Sequence, residues 1–87
     1  MNNKVLVKIN FIELDISYDL FIPVNELVWK IVKLIQKSVA DLNNIPIDLK
    51  KEYLLVNQDS CRIYNNNDIV IDTDIRNGTE LIIISKD

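Results

Sequence analysis

The sequence predicts an α+β fold in which strands wrap a single amphipathic helix, and three observations carry that prediction. Pro23 to Leu42 is the one stretch long and periodic enough to be a full helix. Runs with two-residue alternation lie on both sides of it. Clusters of Asn, Asp and the one glycine punctuate those runs as turns.

Taking about 100° per residue, Val24, Leu27, Val28, Ile31, Ile35, Val39 and Leu42 share one face of the helix, with Val32 and Leu34 on its shoulders. Asn25, Glu26, Lys30, Lys33, Gln36 and Lys37 occupy the other face, and Trp29 projects among them. Pro23 suits the turn into the helix and Asn25 is expected to cap its first amides. Asn43 and Asn44, followed by Pro46, mark its end.

Ahead of the helix, Lys4 to Phe11 reads as a half-buried strand with Val5, Val7, Ile9 and Phe11 on one side and Leu6, Lys8 and Asn10 on the other. Glu13 to Asp15 form a turn. Alternation resumes from Ile16 to Ile22, so the two runs are expected to pair as an antiparallel hairpin. After the helix, Asn43 to Glu52 reads as a connector whose Ile45, Ile47 and Leu49 cover the helix end. Tyr53 to Asn57 is a third strand and Cys61 to Tyr64 a short fourth. Asn65 to Asp68 make a turn, and Ile69 to Asp74 a covering loop or one helical turn. Asn77-Gly78 turns the chain into the last strand, Glu80 to Ser85.

The 87 residues suffice for a single domain, 1–87, without linkers or repeats. A lone cysteine, Cys61, excludes an internal disulfide, and the absence of histidine removes the usual zinc ligand sets. The formal charge of −3 gives no electrostatic footprint for nucleic acid. With no signal-like start and no long apolar run, the chain reads as cytoplasmic and not inserted in a membrane. Asp72 to Gly78 resembles a calcium loop only superficially, because Arg76 occupies a ligand position and Ile83 stands in place of the closing Glu. Cys61 has no neighbouring base, so neither a nucleophile pair nor a cofactor site is expected.

The element order β-β-α-β-β-β, together with particular residues, resembles the ubiquitin-like β-grasp family. Ile45-Pro46-Ile47-Asp48 looks like the family's segment after the helix, and Tyr53-Leu54-Leu55-Val56 its third strand. Ile71-Asp72-Thr73-Asp74-Ile75 and Asn77-Gly78-Thr79-Glu80-Leu81 look like its closing loop, turn and last strand. The resemblance implies one helix packed on a mixed sheet. Within that superfamily the chain resembles the small YukD-like (EsaB-like) proteins of type VII secretion systems of Gram-positive bacteria. Its length, the passage Asp19-Leu20, Pro23-Val24, Leu27 entering the helix, and the acidic composition carry that likeness. The stretch between helix and third strand is longer than in those proteins.

The function this implies is that of a non-enzymatic accessory or adaptor protein that docks on a larger component of a secretion machine. A weak homo-oligomer through the same face is the other association it allows. The alternatives are a scaffold or Ras-binding-like domain of another pathway, and a conjugated modifier or sulfur carrier. The sequence closes with Ile84-Ser85-Lys86-Asp87 in place of a Gly-Gly tail, which argues for the adaptor over the carrier. The expected docking surface is the sheet face away from the helix, assigned to Leu6, Lys8, Asn10, Leu55, Ile82 and Ile84, and a contiguous apolar patch there would mark an interface. Trp29 is the second candidate, either exposed as an anchor or covered by the connector.

Overall fold

The computed structural model describes residues 3–86; Asp87 of the terminal run lies outside the described residues. The expected hairpin is present. Strand β1 (Lys4–Phe11) pairs antiparallel with β2 (Ile16–Pro23) in the register Lys4 to Pro23 through Phe11 to Ile16. A 3-10 turn, Ile12–Leu14, joins them, and Asp15 closes it in the left-handed region at φ 53°, which a short polar side chain tolerates. Val7, Ile9, Phe11 and Ile22 go to the core, as the alternation requires.

The helix is shorter than its pattern. Helix α1 spans Val28–Asn43 and starts without a side-chain cap, so Asn25 does not fill the expected role. Its first amides are capped by main chain from a distant loop: Val28 N–H donates to Asp68 O at 2.8 Å and Trp29 N–H to Asn66 O at 3.2 Å. Residues 24–27 are held outside the helix because Val24 O and Glu26 O accept from the amides of Ile71 and Val70. The other end is as expected, with Asn44 left-handed at φ 52° and its N–H on Ala40 O.

Val28, Ile31, Val32, Ile35 and Val39 of α1 are buried, but two positions depart from the helical phase. Leu42 is 68% exposed, while Gln36, assigned to the polar face, is fully buried. The connector explains the second departure. It folds back over the helix, where Gln36 Nε2 donates to Asp48 O at 3.4 Å and Lys51 O at 3.2 Å, and Lys33 Nζ also donates to Lys51 O at 3.2 Å.

The sheet has the order β2-β1-β4-β3, with β3 at Tyr53–Asn57 and β4 at Glu80–Ser85. Strand β4 is parallel to β1 and antiparallel to β3, so the sheet is mixed. Cys61 to Tyr64 does not form the fourth strand expected. It makes a single bridge, Ile63 to Val56, because Cys61 takes a left-handed φ of 61° that breaks the extended run. This segment still seals the outer edge of β3: Asn57 N–H donates to Arg62 O at 2.8 Å and Tyr64 N–H to Leu55 O at 3.0 Å.

One charged cluster ties the first turn to the connector and β3. Glu13 accepts from both the Lys51 ammonium and the Tyr53 hydroxyl. The Lys51 bond, then the Tyr53 bond, hold its carboxyl below the ordinary value of 4.5 against an opposing effect of burial. A depressed folded-state value means that the associated stability is fully present above the unfolded-state value and lost as pH falls through the folded-state value. The melting temperature is therefore expected to drop on acidification below about pH 4.5. Glu13→Gln should flatten part of that drop in thermal melts across acid pH; an unchanged profile would show that other carboxylates carry it.

Candidate docking surface

Because α1 covers one face of the sheet, alternation within each strand decides what the other face presents. In β1 the outward set is Leu6, Lys8 and Asn10, as expected from sequence. In β4 it is Glu80, Ile82 and Ile84, and both isoleucines are partly exposed. In β3 the phase is opposite to that expected. Leu55 is 1% exposed and packs in the core with Tyr53, whose ring meets Phe11 edge-on at 5.0 Å between centroids. Leu54 and Val56 face outward in its place.

Four consecutive apolar or aromatic residues, Tyr53 to Val56, leave the alternation of β3 without a phase of its own, and the polar residue that follows them, Asn57, is only 7% exposed. Its Oδ1 accepts from the amides of Asp59 at 2.9 Å and Ser60 at 3.2 Å, and its Nδ2 donates to the Tyr64 hydroxyl at 3.2 Å. A buried amide satisfied on both atoms carries little desolvation penalty. Tyr64 is itself anchored by donating to Asp74, and burial first, then that bond, push its hydroxyl up to about 12.

Strand register places the outward residues in rows. Asn10 sits beside Ile82, Ile82 beside Val56, and Val56 beside Ile63, which is 57% exposed; Ile84 sits beside Leu54. These five apolar side chains make one patch on the β3–β4 half. Asp19, Lys8 and Glu80 form the next row, a charged strip across three strands. Beyond it lie Leu6, 36% exposed, and Phe21, 55% exposed, as neighbours across β1 and β2. The sequence-predicted residues thus divide. Lys8, Ile82 and Ile84 share the outer face with Leu6 at its far end, whereas Leu55 lies beneath it.

Trp29 belongs to neither patch. It is 41% exposed on the solvent side of α1, with Lys30 Nζ 5.6 Å from its ring centroid. The connector does not cover it. The indole borders a cleft of about 190 Å³ shared with Glu52, Tyr53, Asn66 and Lys86.

Comparison with solved structures decides the fold. The chain superposes on the ubiquitin-like domain of an Arabidopsis thaliana protein with a TM-score of 0.65 at 14% identity, covering 99% of this chain and 81% of that one. The fold is the ubiquitin-like β-grasp. The ubiquitin-like fold is shared with a chain of a toluene 4-monooxygenase HD complex with the inhibitor 4-bromobenzoate, at a TM-score of 0.77 and 6% identity, covering 95% and 99% of the two chains. It is also found in a chain of the ESX-5 inner membrane complex, at 0.66 and 15% identity, covering 99% of this chain and 22% of that one. No family model matches the sequence and no curated protein does.

Proposed function

We propose that this protein is a non-enzymatic interaction module that docks through the outer face of its sheet, as an accessory subunit of a type VII secretion machine. One observation carries the reading: Leu54, Val56, Ile82, Ile84 and Ile63 form a contiguous apolar patch on a face that the protein's own helix leaves uncovered. The likeness to a chain of the ESX-5 inner membrane complex supports the secretion assignment. The non-enzymatic assignment is supported by the lack of histidine and, among the described residues, of any cluster of His, Cys, Asp and Glu suited to a metal. A second reading makes the same face the seat of an oxygenase assembly, favoured by the near-complete overlap with a monooxygenase chain.

The double variant Val56→Asp/Ile82→Asp tests the face. Titrated against the purified soluble domains of a type VII membrane complex, it should bind about thirtyfold more weakly than the unaltered protein, as expected for loss of a central apolar anchor worth about 2 kcal/mol. Its melting temperature should move by only a few degrees, since partly exposed substitutions cost about 0.5 kcal/mol or somewhat more each. Unchanged binding, or a variant that unfolds, removes the outer face from consideration. Binding to an oxygenase hydroxylase in place of the secretion domains would select the second reading.

A further inference from the structure

The chain has one glycine, and it follows an asparagine. Every other asparagine is followed by a residue with a side chain, which shields the next main-chain nitrogen. At Asn77-Gly78 that nitrogen is unshielded, so it is the one best placed by sequence to attack an asparagine carboxamide. Both residues are exposed to water, yet the structure ties down both reacting groups through a single residue of β1. Leu6 N–H donates to Asn77 Oδ1 and Gly78 N–H donates to Leu6 O, each at 2.8 Å.

The turn itself is closed twice more. Thr79 N–H donates to Arg76 O at 3.1 Å, and Arg76 N–H donates to Thr79 Oγ1 at 2.8 Å. With Gly78 at φ 87° and Asn77 outside the left-handed region, this is a type II turn. The residue in the place of Asn77 in such a turn has ψ of about 120°. That angle swings Gly78 N away from Asn77 Cβ, whereas a ring closing through Cγ needs the nitrogen eclipsed with Cβ. Lys8 N–H also donates to Thr79 O at 3.0 Å, so the turn is held against that rotation while β4 stays on β1.

We propose that Asn77-Gly78 is a self-acting deamidation site that the β1–β4 junction keeps latent and that reacts when the junction opens. Gly78 N gives its proton to water or hydroxide and its electron pair to Asn77 Cγ. The Cγ–Nδ2 bond breaks, ammonia leaves, and a cyclic imide joins the two residues. One water then opens the ring. Addition at Cγ leaves aspartate at position 77, and addition at the main-chain carbonyl leaves isoaspartate, with the main chain rerouted through Cβ and Cγ. Aspartate keeps an oxygen for Leu6 N–H. Isoaspartate lengthens the main chain by one atom inside the turn, so Leu6 no longer holds the side-chain oxygen and Gly78 N–H together. The modification thus records time spent with β4 off β1, and its isoaspartate branch opposes return to the paired state.

The test incubates the full-length protein at mildly alkaline pH, folded and in denaturant, and follows position 77 by peptide mapping and isoaspartyl methyltransferase labelling. In denaturant, Asn77 should deamidate faster than every other asparagine. In the folded protein it should react at least about tenfold more slowly, because only opened molecules are competent. Thr79→Val withdraws the oxygen that receives Arg76 N–H and leaves the β1–β4 ladder in place. It should speed the folded protein at least about threefold, the worth of one hydrogen bond. The comparison of folded with denatured protein uses no variant and decides the matter if Thr79→Val does not fold. Asn77→Asp should melt within a few degrees of the unaltered protein, and the purified isoaspartate form well below it. Equal rates folded and denatured, a faster asparagine elsewhere in the denatured chain, a folded Thr79→Val that reacts no faster, or an isoaspartate form as stable as the unaltered protein would each overturn the inference.

Discussion

Ile31→Ala is expected to lower the free energy of unfolding by about 2–5 kcal/mol, the range for removing a large aliphatic side chain from a packed core. Ile31 is 1% exposed at the centre of the α1 face that meets the sheet. Leu42→Ala, drawn from the same apolar stripe of the sequence, should change stability by no more than about 0.5 kcal/mol because Leu42 is 68% exposed. Urea melts of the two variants separate the helical phase seen in the structure from the one the stripe suggests. Equal losses would mean that the last turn of α1 is buried and the phase is wrong.

Asn57→Ala should cost about 2–3 kcal/mol, a large effect for a polar residue at a strand end. The substitution removes the oxygen that receives the amides of Asp59 and Ser60, and it takes the donor from the Tyr64 hydroxyl inside the core. It also leaves a void beside a side chain 3% exposed. Gln58→Ala, one residue on and exposed, should fall within about 0.5 kcal/mol. A melt in which both variants unfold together with the unaltered protein would refute the anchoring role.

These two residues also show what the sequence discloses. In β1 and β2 apolar and polar residues alternate, so the hairpin and its buried face are legible, and Asn44 ends α1 where its tolerance of left-handed backbone predicts. In β3 four consecutive apolar or aromatic residues precede Asn57, so alternation is silent and the one polar side chain points the wrong way. The composition of the outer sheet face was consequently legible through Ile82 and Ile84 but not through Leu54, Val56 and Ile63. The start of α1 was hidden for a different reason. Its cap comes from the carbonyls of Asn66 and Asp68, whose approach is a tertiary event with no local signature. Gln36 is similar: an amide reads as a surface residue until the carbonyls of the connector arrive to receive it.

The position of β4 has a consequence for how the molecule comes into being. Strand β4 is the last to be synthesised, yet it lies between β1 and β3 and bonds to both. Until it emerges from the ribosome, the hairpin and β3 each carry an unpaired inner edge, and α1 has half a sheet to rest on. Formation of the native sheet must therefore wait on contacts between distant parts of the chain, the kind that slow folding and leave strand edges open to aggregation. A nascent chain halted before Glu80 should be a substrate for chaperones and proteases, and release of the final strand should be the step that commits it to the native state.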